Sequence, residues 1–101
     1  MMTIHVGLFS DLPPQARTVV LIGGRNCEHL RELARMAEFR GRAAYRVENA
    51  DELQPRWFAG VDEVGVVVGA SNLAPQVEAV LERLNQFAAA QAAGMLEGVA
   101  Q

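Results

Sequence analysis

The residues best suited to chemistry stand together in one short segment, Gly23-Gly24-Arg25-Asn26-Cys27-Glu28-His29. Glycines let a backbone come close to a phosphate, and the amino end of a helix offers free N–H groups with a partial positive charge. Arg25 would add a planar fork of donors. The pattern is neither a Walker motif nor a G-x-G-x-x-G fingerprint. A plain Gly-Gly turn from strand into helix accounts for it too, since such turns are common in α/β units. Cys27 adds a nucleophile to the same segment. A helix start favours thiolate, His29 could orient or deprotonate the thiol, and Glu28 beside it works against that. A lone cysteine near a histidine is more often a spectator.

A second segment, Gly69-Ala70-Ser71-Asn72, holds a hydroxyl. Ser71 could donate to an anion or cap the helix that follows. His5 lies on an expected strand, where a single histidine is more often structural or exposed than a ligand. The arginines from Arg25 to Arg46 look basic as a group. Glu28, Glu32 and Glu38 interleave with Arg31 and Arg35 at helical pair spacing, however, which describes a solvated charged face. Trp57-Phe58 on a short connecting helix suits the plugging of a core edge.

These segments need elements to hold them. Thr3 to Phe9 alternates, with Ile4, Val6 and Leu8 on one side, and predicts a strand. The Pro13-Pro14 pair marks a loop. Thr18 to Ile22 is a continuous β-branched and aliphatic run, as in a parallel strand buried on both faces. Asn26 is a suitable N-cap for a helix carrying Leu30, Leu33, Ala34 and Ala37 on one face, which Gly41 stops. Ala43 to Val47 predicts a strand. Asn49 to Leu53 and Pro55 to Phe58 predict short helical turns, ended by Gly60. Val64 to Val68 is a second buried strand, and the next helix aligns Val77, Val80, Leu81, Leu84 and Phe87. Residues 88–101 form an Ala-rich tail that could extend this helix, fray, or pack on a second copy. Strands alternating with helices predict one three-layer α/β domain with a mostly parallel sheet of four or five strands and helices on both faces. Ligands bind such sheets beyond the carboxyl ends of the strands, where both loops lie.

The composition sets outer bounds. The chain has 101 residues, enough for one domain and one core arrangement. Its formal net charge is -3, and all nine basic residues are arginine. That balance gives no electrostatic case for nucleic acid or an anionic membrane. No apolar run is long enough to cross a bilayer, and the start lacks a basic n-region, so the cytosol is the expected compartment. One cysteine excludes an internal disulfide and a multi-cysteine metal site within a single chain.

Four motifs then suggest a family. Val19-Val20-Leu21-Ile22-Gly23-Gly24-Arg25-Asn26 resembles the "VVGGKN" strand and loop of the LytB/IspH family, the hydroxymethylbutenyl diphosphate reductases of isoprenoid synthesis. Arg46-Val47-Glu48-Asn49-Ala50-Asp51-Glu52-Leu53 resembles its "IED-A-DEL". Trp57 to Gly65 resembles its "W…V..VG", and Gly69-Ala70-Ser71 its "AGAS". The motifs come in order at matching spacing, over residues 17–84. They correspond to the third, C-terminal domain of the full enzyme.

The resemblance implies a diphosphate site at the two loops and, for the whole enzyme, an iron–sulfur cluster shared by three domains. The family's Ser-Ser-Asn after "KN" falls here on Cys27, Glu28 and His29. Gly23, Gly24, Asn26 and Ser71 are kept. A carboxylate at Glu28 would repel a diphosphate and take the anion's place at the helix start. The family's third cluster cysteine has no counterpart, although Thr3-Ile4-His5 could overlie its strand and put His5 in the ligand's place. The leading expectation is a stand-alone domain without catalytic residues or a cofactor of its own. Its degenerate anion loop would bind a phosphorylated small molecule or a protein partner, and the Ala-rich tail offers a homodimer contact. Two alternatives stay open: a subunit of a split iron–sulfur reductase, and a thiol-based sensor built on Cys27 and His29.

Overall fold

The computed structural model describes residues 2–24, 27–69 and 74–92. Its strands are β1 (Thr3–Val6), β2 (Thr18–Ile22), β3 (Ala43–Val47) and β4 (Glu63–Val68). Its helices are α1 (Glu28–Phe39) and α2 (Ala74–Ala92). Three short 3-10 turns, Phe9–Asp11, Ala50–Glu52 and Pro55–Phe58, fill the connections. The strands form one sheet in the order β1-β4-β2-β3, and every neighbouring pair is parallel. The expected α/β architecture is therefore realised with four strands.

The order explains the sequence pattern. β2 and β4 are central, and their apolar runs are buried on both faces. Val20, Ile22, Val64 and Val66 face α2, where they pack with Val80, Leu84, Phe87 and the fully buried Phe58. Val19, Leu21 and Val67 face α1, where they meet Leu30, Leu33 and Ala37. Successive side chains of a strand point to opposite faces, so one uninterrupted run supplies both core layers. Trp57 stacks on Tyr45 with ring centroids 4.2 Å apart, while Phe58 beside it enters the core. The aromatic pair thus closes a core edge, as its position on a short turn predicts.

α1 ends as its sequence requires. Gly41 has φ +79°, a conformation that glycine adopts at little cost. The Gly41 N–H donates to the Glu38 carbonyl at 3.0 Å, and the Arg42 N–H to the Ala37 carbonyl at 2.8 Å. These two bonds make a Schellman motif. A capping box holds the turn after β3: Asn49 Oδ1 accepts from the Asp51 N–H at 3.1 Å, and Glu52 Oε1 accepts from the Asn49 N–H at 3.3 Å.

Two expectations need correction. β1 stops at Val6 instead of running to Phe9, and of Ile4, Val6 and Leu8 only Ile4 packs on the core. Val6 is 55% and Leu8 68% exposed. β1 is an edge strand paired only with β4, so little of the core reaches it. The chain leaves the sheet at Gly7 and buries Phe9 and Leu12 against α1 instead. The N-cap of α1 is Cys27 and not Asn26, which lies outside the described residues. The Cys27 carbonyl accepts the first helical bond, from the Arg31 N–H at 3.2 Å, and its side chain makes no capping bond. Of the Ala-rich tail, residues 88–92 continue α2, and residues 93–101 lie outside the described residues.

Candidate functional site

The carboxyl ends of three strands meet where the sequence places its loops. The Gly23 N–H donates to the Val47 carbonyl at 3.0 Å, and the Gly69 N–H to the Ile22 carbonyl at 2.7 Å. The ladder of the sheet thereby extends one residue past β2 and β4, and Gly23 lies beside Gly69. A Cβ on Gly23 would sit 2.5 Å from Leu30 Cδ1 and 3.7 Å from the Gly69 Cα. A Cβ on Gly69 would sit 3.2 Å from both the Ile22 carbonyl oxygen and Leu30 Cδ1. Both glycines leave room for Leu30, whose burial fixes the first turn of α1 at the sheet edge. Gly24 has no atom of the described residues within reach of a Cβ. Packing accounts for Gly23 and Gly69, and Gly24 is the glycine that leaves the backbone approachable.

The side chains of Cys27, Glu28 and His29 lie in different surroundings. Cys27 is half-buried and packs against the α1 side of the core. Glu28 and His29 are exposed on the first turn of α1. His29 lines a shallow groove with Leu8, Phe9 and Met36, turned towards the Phe9–Asp11 segment. No hydrogen bond joins Cys27 to His29 among the described residues. Glu28 is the acidic residue of the first turn, in the position where the helix end favours negative charge.

The loop faces a neighbour that its own sequence does not announce. Gly23 and Gly24 line a cavity of about 250 Å³ with Arg46, Val47, Glu48 and Glu52. Parallel pairing of β2 with β3 brings these residues in, since Ile22 lies level with Val47. Glu52 Oε1 accepts from the Glu48 N–H at 2.6 Å as well as from the Asn49 N–H, so its carboxylate clamps the turn after β3. A second carboxylate, Glu48, stands at the same rim. The signal available in the sequence was the Arg46–Leu53 motif, which marks a kinship and also one wall of the cavity. Asn26 and Ser71, the remaining candidates for the anion site, lie outside the described residues, as does the Ser71 cap.

His5 is not part of this edge. It is level with Gly65 on β4, which in turn is level with Val19 on β2. Four residues along a strand separate Val19 from Gly23, roughly 13 Å. The His5 Nε2 lies 2.9 Å from Glu63 Oε1, a contact directed to the amino-terminal half of β4. No group of three or more His, Cys, Asp or Glu side chains able to hold a metal occurs among the described residues. With one cysteine, turned to the core, this donor set does not fit an iron–sulfur cluster. Nor is any described helix long and apolar enough to cross a membrane.

The model of the LytB protein family matches residues 9–85. The chain belongs to the LytB family. The 4-hydroxy-3-methylbut-2-enyl diphosphate reductase of Acinetobacter baylyi is 38% identical over 79 residues, covering 78% of this chain and 25% of that protein. The enzyme of the same name from Chromobacterium violaceum is 41% identical over 76 residues, covering 75% of this chain and 24% of its own length. The solved structure of (E)-4-hydroxy-3-methyl-but-2-enyl diphosphate reductase, described as the terminal enzyme of the non-mevalonate pathway, superposes with a TM-score of 0.66 at 36% identity. That superposition covers 72% of this chain and 26% of the enzyme. The chain thus spans about a quarter of the length of the curated LytB relatives it matches. The LytB match begins at residue 9, past His5.

Proposed function

We propose that this LytB domain is a binding module, not a reductase by itself, and that its Gly23–His29 edge has lost the family's way of holding a diphosphate. One observation carries the reading: Glu28 stands exposed in the first turn of α1, at the helix end where an anion would bind. A carboxylate there satisfies the helix dipole internally and repels a second anion. Glu48, Glu52 and Arg46 line the cavity that faces the same loop. The occupant that suits this edge is a partner surface or a ligand less anionic than diphosphate. Calorimetric titration of the 101-residue chain with pyrophosphate tests this. No saturable heat is expected up to the order of millimolar ligand, and affinity of about micromolar or better would refute the reading.

A second reading rests on the coverage of the relatives. A chain that spans a quarter of the reductases could act as one subunit of a split enzyme, whose other chains would bring the cluster cysteines. Co-expression with chains equivalent to the rest of the reductase would then yield a brown, cluster-bearing complex. A colourless mixture without association rejects it.

A further inference from the structure

The outer edge of β3 combines an open backbone edge with a cluster of arginines, of which only Arg46 is shared with the cavity beside the loop. Two hydrogen bonds fix which way its backbone faces. The Ala43 N–H donates to the Arg17 carbonyl at 2.7 Å, and the Val47 carbonyl accepts from the Gly23 N–H at 3.0 Å. In a parallel ladder alternate residues turn their N–H and C=O groups to the neighbouring strand, so Ala43, Tyr45 and Val47 bond to β2. Ala44 and Arg46 therefore direct both backbone groups away from the sheet, along an edge that no other strand covers among the described residues. Beside this edge runs a groove of about 430 Å³. Arg31 and Arg35 of α1 form one wall, Ala44 and Arg46 the floor, and the stacked Tyr45 and Trp57 the far side. Arg31, Arg35 and Arg46 are exposed, and none is ion-paired among the described residues. Glu38 is the single carboxylate among the groove's described lining residues.

We propose that the β3 edge, with Arg31, Arg35 and Arg46 above it, is a docking site for an extended acidic segment of a partner polypeptide, which adds to the sheet as a fifth strand. Main-chain bonds to Ala44 and Arg46 would supply the pairing, and the arginines would select alternate acidic side chains on the α1 face. Charge complementarity chooses the occupant. A second copy meeting this edge would bring its own three arginines against these, and a charged edge is a common guard against such self-pairing. An acidic strand turns the same charges from guard into anchor. The site shares Arg46 with the cavity beside the loop, whereas Arg31, Arg35, Ala44 and Trp57 belong to the β3 groove and not to that cavity, so pyrophosphate binding unaffected by R31E/R35E bears on the loop and not on this edge.

The test uses the full chain and a short fluorescein-labelled peptide alternating glutamate with valine, followed by fluorescence anisotropy at low salt. A peptide with lysine for glutamate is the control. The glutamate peptide is expected to bind, and the amides of Ala44 and Arg46 to become protected from exchange when it does. Reversing Arg31 and Arg35 together (R31E/R35E) should weaken binding by about tenfold or more. Ala44→Pro should weaken it by about tenfold, because it removes an outward N–H that the sheet does not use. If that variant does not fold, amide protection in the native chain decides alone. The proposal is overturned by absence of binding at low salt, by equal binding of the lysine peptide, or by binding that leaves the Ala44 and Arg46 amides unprotected. It is equally overturned if the chain self-associates through this edge and Ala44→Pro abolishes the dimer, or if oligothymidylate displaces the peptide and binds more tightly.

Discussion

Gly23 and Gly24 are neighbours of one residue type with different reasons for being glycine. The Cβ of an alanine at 23 would press on Leu30, which is fully buried and has little room to yield. Gly23→Ala should therefore destabilise the chain by about 1–3 kcal/mol, measured by urea unfolding. Gly24→Ala meets no atom of the described residues, at a φ below zero, and should lie within about 1 kcal/mol of the native chain. A result with the two reversed would mean that the loop is seated differently. The side chains that follow diverge too. Cys27 turns to the core while His29 turns outward, so His29→Ala should leave the alkylation rate of Cys27 within about twofold of native. A larger drop would revive a coupled thiol–imidazole pair and with it the sensor. At this scale the sequence shows which residue types are present but not their directions. Cys27, Glu28 and His29 read as one cluster because they are adjacent, and a helix start fans adjacent side chains apart.

Among the elements, legibility followed burial. β2 and β4 could be recognised because a strand enclosed on both faces must be apolar throughout, and Thr18–Ile22 and Val64–Val68 are. α1 showed in Leu30, Leu33 and Ala37 and in the glycine that ends it. Gly41→Ala is expected to cost about 1 kcal/mol in thermal or chemical unfolding, because the Schellman bonds hold residue 41 at positive φ. An unchanged stability would show that the helix end can rearrange. β1 is shorter than its alternation suggests, because an alternating pattern does not state where pairing stops. The chain leaves the sheet at Gly7, and Val6 at the strand's end and Leu8 beyond it are both open to solvent. The cavity wall of Arg46, Glu48 and Glu52 was not foreseen for another reason. It is assembled by strand order, since β3 lies beside β2, and short-range patterns carry no strand order.

Over the whole molecule, the sheet is shared by two core layers. Val20 and Leu21 are consecutive residues of β2 that belong to opposite layers, so neither layer can open without disturbing the strand that serves both. Unfolding should be a single transition. The tryptophan, Trp57, stacked on Tyr45 at the α2 side, should report the same midpoint by fluorescence as far-ultraviolet circular dichroism reports for the helices. Separate midpoints would mean that the layers fold independently. The same architecture sets the functional question. Three strand ends, a glycine turn and a helix start meet at one edge, and in the proposed reading Glu28 takes the place of an anion there. The most direct test replaces that residue. Amide shifts of the native chain and of Glu28→Ser are followed on addition of pyrophosphate. Shifts are expected at Gly23, Gly24 and Cys27 to His29 in the variant, and none of comparable size in the native chain. Equal response of the two proteins would contradict that reading.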